Sequence, residues 1–238
     1  MIVQACINGA RPAGYHPALP LTTAAMVAAS VAAIDTGAAE LHIHARNPEG
    51  RESLAHVDEV MTAIRAACPG TLTGVSTGAW IEADETRTRA AIRNWRVLPD
   101  YASVNLSEPD APAIIALLQQ IGVGVEAGLA TVADAHRLAA LPERDRVLRI
   151  LIEIEEQDIT RADQEASGIA AVLEDAGIRR PVLLHGFDAT VWHFVRQAKA
   201  RRWSTRVGLE DGLHRPSGQI ARDTAELVAD AVAIFRGA

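Results

Sequence analysis

Three observations predict that the chain is an α/β protein folded as one (β/α)8 barrel, the TIM-barrel architecture. Eight short apolar segments recur along the 238 residues, helical patterns separate them, and no linker or shift in composition divides the chain. We therefore expect a single domain over residues 1–238. A doubly wound open sheet is the alternative, but it would need fewer strands or an extra domain, and the sequence has no glycine-rich dinucleotide fingerprint.

The eight segments predicted as strands are rich in β-branched and other apolar residues. They span residues 2–8, 40–45, 71–77, 101–106, 122–129, 147–154, 181–186 and 205–211. In several of them polar side chains occupy every second position; His42 and His44, for example, alternate with Leu41 and Ile43. Successive side chains of a strand point to opposite faces, so one set should face the helices and the other the barrel interior.

Capping residues indicate where the helices between the strands begin. Thr22 is the expected N-cap of a helix that ends at Gly37, and Thr131 with Asp134 resembles a capping box. Further helices are expected from Ser53 to the residue before Pro69, from Thr160 to about Gly177, and over residues 219–235.

Composition and charge favour small-molecule chemistry. Hydrophobic residues make up 49% of the chain, and the net charge is −7. Because this charge balance offers no basic face, neither nucleic acid nor a membrane surface is expected as a partner. Cys6 and Cys68 are the only cysteines and lack the spacing of a metal site, and no segment is apolar over the length of a membrane span. We expect a reduced, cytoplasmic protein.

Polar residues near the ends of the predicted strands are the first functional signal. In a (β/α)8 barrel the active site lies where strands end and βα loops begin. We therefore expect His44, Ser76, Asn105, Glu126 and Glu210 to converge on one mouth of the barrel.

Two histidines one residue apart on a strand suggest a metal site. Side chains at i and i+2 point to the same side, about 6 to 7 Å apart along the strand, and a metal ion can lie between them. A catalytic zinc site needs a third protein ligand, and Glu210 fits because the eighth strand lies two strands away from His42 and His44 in a closed barrel. Two histidines with a purely structural role are the alternative.

A charged cluster ends the eighth strand. Arg206 is predicted to point inward, where an unpaired guanidinium would be costly, so we expect it to orient Asp211. In such a pair Asp211 can act as the base that removes a proton from a carbon acid. The alternative is that Asp211 lies in an ordinary surface loop and has no catalytic role. Further candidates for the mouth are His185, Trp80 and the acidic run 153–158, for which a solvated loop is equally consistent.

The order of several motifs resembles a known family. They are NGA (8–10), LPLT (19–22), GAAELHIHAR (37–46), VSTG (75–78), ASVN (102–105), GVEAG (124–128) and VGLED (207–211). This order is similar to the β-keto acid cleavage enzymes, a family typified by 3-keto-5-aminohexanoate cleavage enzyme. The resemblance runs nearly end to end, and its most diagnostic parts are the HxHxR strand and the final RxGxED strand. Members are zinc-dependent (β/α)8 barrels that convert a β-keto acid and acetyl-CoA into acetoacetate and a new CoA ester.

The resemblance implies roles for the residues already singled out. His42, His44 and Glu210 would bind zinc (Zn2+), with the keto oxygen of the substrate in the fourth position, and Arg206 with Asp211 would form a catalytic dyad. The polar end of the β-keto acid would be bound by Ser76, Ser103, which replaces a threonine of the type enzyme, and Asn105. Glu126 is expected among the substrate contacts because of its place on the fifth strand. The family commonly assembles as tetramers, so a homo-oligomer is expected.

Two departures from the family bear on the substrates. Arg11 stands where the type enzyme has a glutamate that meets the amine of its substrate, so we expect a substrate tail that is anionic or polar. After the sixth strand, residues 153–164 read EIEEQDITRADQ in place of a glycine-rich loop near GVPGG, and acidic residues repel phosphates.

Three functional interpretations therefore stay open. The first is the acetyl-CoA-dependent cleavage of a small β-keto acid. The second keeps the metal and the β-keto acid but not CoA, which gives a lyase, aldolase or hydrolase; the acidic loop favours it. The third is a metal-binding barrel without catalysis, which the presence of Arg206, Glu210 and Asp211 together disfavours.

Overall fold

Eight parallel strands form the centre of the computed structural model, which describes residues 1–237. The strands are β1 (Val3–Cys6), β2 (Glu40–Ile43), β3 (Leu72–Ser76), β4 (Tyr101–Asn105), β5 (Gly124–Leu129), β6 (Arg149–Ile154), β7 (Val182–Gly186) and β8 (Thr205–Val207). Their order in the sheet is β7-β6-β5-β4-β3-β2-β1-β8, and an isolated bridge between Leu183 and Ser204 links β7 to the start of β8. The predicted (β/α)8 barrel is confirmed.

Nine α-helices surround the strands within the described residues. They are α1 (Thr23–Asp35), α2 (Val57–Ala67), α3 (Ala79–Glu82), α4 (Glu85–Arg93), α5 (Ala111–Gln120), α6 (Val132–Ala140), α7 (Ile159–Asp175), α8 (Val191–Arg201) and α9 (Thr224–Arg236). Thr22 caps α1 and accepts a hydrogen bond from the Ala25 amide, and Thr131 with Asp134 forms the predicted capping box of α6. None of these helices is long and apolar enough to cross a membrane.

Several element boundaries differ from the sequence prediction, and three of them have a clear structural cause. Helix α7 is capped by Asp158, whose carboxylate accepts the Arg161 amide at 3.0 Å, so Thr160 lies inside the first turn. Helix α9 begins at Thr224 after the cap Asp223, because the preceding residues return as an extended segment that bridges His214 to Ile220. Strand β8 stops at Val207, because a tight turn follows in which the Asp211 amide donates to the Gly208 carbonyl at 2.9 Å.

The hydrophobic core lies mainly between the barrel and its helices. Outward side chains of the strands, such as Leu41 and Val104, are buried there with Met26 and Phe194 from the helices. Each fully buried side chain of this size contributes about 1.5 to 3 kcal/mol relative to leaving it in water. The outward-facing apolar side chains of the strands therefore hold the barrel and helices together. The alternate, inward-facing positions are free to carry polar side chains.

A charged cluster fills the barrel interior at the end where the strands begin. Arg149 contacts the carboxylates of Glu126, with Nε 2.6 Å from Oε2, and of Glu40, and its guanidinium lies 4.7 Å from the centre of the Tyr101 ring. Gly74 makes room for that ring, since a Cβ at this position would come within 2.0 Å of it. The cluster is almost entirely shielded from water, so its stability depends on mutual pairing.

Removing the cation of this cluster should destabilise the fold. We expect Arg149→Ala to lower the free energy of unfolding by about 3 to 5 kcal/mol, because it leaves buried carboxylates unpaired. Arg146→Ala is the control; its ion pair with Glu143 is exposed, and we expect a loss below about 1 kcal/mol. Urea titrations of both variants measure the difference, and equal losses would contradict a structural role for the cluster.

Candidate active site

A cavity of about 700 Å³ opens at the carboxyl ends of the strands. Its walls include eight of the ten residues for which the sequence predicts a catalytic, substrate-binding or metal-binding role: Arg11, His42, His44, Ser76, Ser103, Asn105, Arg206 and Glu210. Asp211 lies directly behind Arg206, and Glu126 lies deeper in the barrel. The inward parity of the strands therefore gathers the polar groups into one site.

Two histidines and one carboxylate form a compact cluster in the wall of this cavity. Oε1 of Glu210 lies 4.0 Å from His42 Nε2 and 3.5 Å from His44 Nε2, and one ligand atom from each residue lies within 4.8 Å of the others. All three residues are buried. Gly9, at φ +56°, allows the close approach of Glu210, since a Cβ there would lie 2.3 Å from its Cγ.

The donor set of the cluster fits a divalent metal ion. Two imidazoles and a carboxylate are ligands of catalytic zinc sites, and atoms bound to one ion at about 2.1 Å lie roughly 3 to 4 Å apart. His42 Nδ1 and Glu210 Oε2 are buried and have no hydrogen-bond partner among residues 1–237. His42, His44 and Glu210 could therefore hold a metal ion.

The charges around the cluster set its protonation. Burial lowers the pKa of His42 well below its usual value, so its imidazole is neutral. Burial also lowers the pKa of His44, but the carboxylates of Glu210 and Glu52 outweigh it and raise that pKa to about 9. Burial raises the pKa of Glu210, whereas Arg206 and the two histidines together hold it well below its usual range. The field at His44 thus favours a positive charge, which either a proton or a cation can supply.

Glu52 orients His44 and is a residue that sequence reasoning missed. Its Oε1 lies 2.5 Å from His44 Nδ1, which leaves Nε2 of the same ring facing Glu210. Trp80 donates its indole N–H to the other oxygen of Glu52 at 3.0 Å, and its ring stacks on His44 with centroids 6.3 Å apart. Carboxylates that hold a metal-binding histidine in this way are common partners of such sites. A bridge between Arg46 and Glu52 folds the loop back to the strand end.

Arg206 and Asp211 are in contact, as the sequence suggested. Arg206 Nη2 donates to Glu210 Oε1 at 2.8 Å, and its Nε donates to Asp211 Oδ1 at 3.2 Å. Asp211 is fully buried, and its Oδ1 lies 3.2 Å from His185 Nδ1. The guanidinium of Arg206 thus connects Asp211 both to the cavity and to the cluster of His42, His44 and Glu210.

Glu126 does not lie at the mouth of the barrel, so its expected position was wrong. It has the inward parity that was predicted, but it is the third residue of β5 and pairs with Arg149 at the opposite end of the barrel. At the mouth, β5 instead presents Gly128. The contact with substrate expected for Glu126 therefore has no support from its position.

Three polar residues of neighbouring strands line the cavity beside the metal-ligand cluster. Ser76 of β3 is paired in register with Ser103 of β4, and Asn105 ends β4. Asn105 donates to Glu108 at 3.3 Å, and the Ser76 hydroxyl accepts the Gly78 amide at 3.2 Å. These groups can offer hydrogen bonds to a ligand beside the cluster.

Part of the cavity wall is acidic. Glu153 and Glu155, from the acidic run noticed in the sequence, line it together with Asp188. Arg11 lies at the same side, donates from Nε to the Glu210 carbonyl at 2.9 Å, and has Nη2 3.2 Å from Asp188 Oδ1. Asp188 is a second residue that the sequence did not reveal, because it lies in a loop without a recognisable motif.

Comparison with known proteins identifies the family. Residues 1–164 match the model of the beta-keto acid cleavage enzymes, and the chain belongs to that family. Over 114 residues it is 32% identical to 3-oxoadipate:acetyl-CoA acetyltransferase of Cupriavidus necator strain H16, a match that covers 47% of this chain and 39% of that protein. The chain thus spans well under two thirds of the length of that relative.

Solved structures share the fold. ObcA in its ternary complex with a C4-CoA adduct and oxalate superposes with a TM-score of 0.73 at 19% identity, over 93% of this chain and 65% of that one. Apo ObcA gives a TM-score of 0.70 with 63% of its length covered. Type I 3-dehydroquinate dehydratase from Clostridium difficile gives 0.65 at 14% identity, over 100% of this chain and 93% of that one. At these identities the similarity concerns the barrel alone.

The contact between Glu52 and His44 should affect metal affinity. We expect the protein to bind one divalent ion per chain and Glu52→Gln to weaken the binding about 10- to 100-fold, because the imidazole loses its carboxylate partner. Glu49→Gln, an exposed residue of the same loop, is the control and should bind like the wild type. Competition with a chromogenic chelator measures both affinities. Unchanged affinity in Glu52→Gln, or binding that survives His44→Ala, would contradict the assignment.

Proposed function

We propose that the protein is a zinc-dependent enzyme that cleaves a small β-keto acid with acetyl-CoA and gives acetoacetate and a new CoA ester. The observation that carries this proposal is the cluster of His42, His44 and Glu210 beside Arg206 in the wall of one cavity. Family membership and the activity of the Cupriavidus relative, a 3-oxoadipate:acetyl-CoA acetyltransferase, support the reaction class.

The metal would be held by His42, His44 and Glu210. As a Lewis acid it would polarise the keto group of the substrate and stabilise negative charge on oxygen. Glu52 keeps His44 oriented for this task. The hydroxyl groups of Ser76 and Ser103 and the amide of Asn105 would bind the carboxylate end of the β-keto acid by hydrogen bonds.

Asp211 is the proposed base. The methylene carbon between the keto group and the carboxylate, here called C2, must lose a proton before it can form a bond to the acetyl carbonyl carbon. Asp211 Oδ1 is held by Arg206, whereas its Oδ2 has no hydrogen-bond partner among residues 1–237 and can accept a proton. Arg206 lines the cavity and would hold the carboxylate in position beside it.

The acidic wall favours a second candidate function, a CoA-independent lyase or hydrolase. Both arginines among the described residues that line the cavity are already paired, Arg11 with Asp188 and Arg206 with Glu210 and Asp211. Glu155 adds another carboxylate to the same wall, so phosphate groups find no free cation there.

Product analysis separates the two functions. Zinc-loaded protein would be mixed with β-keto acids that carry anionic, neutral or cationic tails, each with and without acetyl-CoA. We expect acetoacetate and a new CoA ester to form only with acetyl-CoA, and cleavage that proceeds equally without it would favour the lyase or hydrolase. Asp211→Asn should lower kcat about 10²- to 10⁴-fold because the base is lost, while metal content stays at the wild-type level.

Arg11 should set the preference for the tail of the substrate. Its guanidinium lies at the cavity wall, partly neutralised by Asp188, and suits a polar or anionic tail. We expect Arg11→Glu to shift the ratio of kcat/KM for anionic over cationic tails by about tenfold or more toward the cationic ones. Arg11→Met is the control for loss of the side-chain contacts alone. An Arg11→Glu variant with the substrate preference of the wild type would show that Arg11 does not determine which substrate tail is bound.

A further inference from the structure

Glu153 is a cavity residue for which the proposed function has no task. It is the penultimate residue of β6, its side chain faces the interior, and only 15% of that side chain is exposed. Among residues 1–237 its one ion-pair contact within 4.0 Å is His185, whose Nε2 lies 3.9 Å from Glu153 Oε2. That distance is longer than a hydrogen bond, so the carboxyl group is available to a molecule in the cavity.

The end of β5 is shaped around this carboxyl group. A Cβ at Gly128 would lie 2.6 Å from Glu153 Oε1 and 3.0 Å from Asn105 Oδ1. Glu153 and Asn105 therefore flank the same glycine, and any larger residue there would displace one of them. Because Asn105 is a proposed contact of the β-keto acid, the Glu153 carboxyl lies next to the place where the substrate would bind.

The surroundings of Glu153 favour its protonated form near neutral pH. Burial raises the pKa of its carboxyl to about 8, and the opposing effect of Arg206 is smaller. Burial also lowers the pKa of His185, so the neighbouring imidazole is neutral and offers no cation to a Glu153 carboxylate. The ionisable groups that face Glu153 are Arg206 and Glu210 from the end of β8, Glu126 from β5, His185 from β7 and Glu155 from its own segment.

The proposed reaction needs an acid as well as a base. C2 carries two hydrogens in the β-keto acid and two in acetoacetate, so one proton leaves C2 and one must return to it. The first transfer leaves a proton on Asp211, which either returns it to C2 or gives it up to water. A second group on the cavity wall that holds a proton at neutral pH can account for the other.

We propose that Glu153 is this acid, an inference that rests on the proposed function. When the bond between C2 and the keto carbon breaks, its electron pair stays on C2 as an enolate. The O–H bond of Glu153 then breaks and a C2–H bond forms, which leaves acetoacetate and the Glu153 carboxylate. The Glu153 carboxylate then recovers a proton from water and protonated Asp211 releases one to water, so both groups return to their starting forms and no oxidant or reductant is required.

Glu153→Gln tests the assignment, because the amide keeps the shape of the side chain but has no acidic proton. We expect kcat to fall about 10²- to 10⁴-fold, with KM and metal content close to those of the wild type. In the wild type kcat should fall as pH rises through about 8, where Glu153 loses its proton; this decline should be absent from Glu153→Gln. Glu174→Gln, an exposed carboxylate of α7 outside the cavity, is the control and should keep both the rate and the decline.

The outcomes distinguish failure of the proposed function from failure of the role assigned to Glu153. If the wild type forms no CoA ester from any β-keto acid, the proposed function fails and the role of Glu153 fails with it. If the wild type is active and Glu153→Gln keeps its rate and alkaline decline, only the role of Glu153 is overturned. Loss of folding or of metal in Glu153→Gln would make the residue structural and would overturn the role as well, whereas partial recovery of kcat by Glu153→Asp, which keeps an acid, would support it.

Discussion

The burial of charge inside the barrel is the constraint on which the site depends. Arg206 is only 2% exposed, and a guanidinium at that depth is tolerated only with carboxylates against it. It contacts both Glu210 and Asp211, and it thereby keeps Glu210 ionised between two histidines. That ionised carboxylate then favours positive charge at His44. This buried ion pair therefore acts together with burial and with Glu52 in setting the protonation of the cluster.

Two layers of polar side chains follow each other along the barrel axis. They differ in whether their polar atoms are already paired with one another. The layer at the beginning of the strands, around Arg149, is closed to solvent and its charges contact each other. The layer at the end of the strands opens into the cavity and includes atoms such as Asp211 Oδ2 that have no partner among residues 1–237. The first layer has the character of a structural core and the second that of a reaction site.

The sequence was sufficient for the fold and for much of the site, because both depend on parity along strands. Alternation of apolar and polar residues identified His42, His44 and Arg206 as inward-facing, and the structure brings them together. The alternation shows which side chains face inward, but it does not show how far along the barrel axis an inward side chain lies. Glu126 faces inward as predicted but lies near the wrong end of its strand, where Arg149 holds it.

Contacts made by loops were beyond the reach of sequence reasoning. Glu52 returns to His44 only because the chain between them folds back on itself, and Asp188 reaches Arg11 across 177 residues. The same limit explains the late start of α9. Its apolar period extends upstream of Thr224, but the residues there form an extended segment that pairs with the loop after β8.

The stacking of Trp80 on His44 gives the site a built-in spectroscopic reporter. This indole is 48% exposed at the cavity rim, and its N–H is bonded to the carboxylate that orients the imidazole. The emission of an indole depends on the charge of a ring stacked against it and on its hydrogen bond. The part of the intrinsic fluorescence that comes from Trp80, one of four tryptophans, should therefore respond to the electrostatic state of the cavity without any added dye.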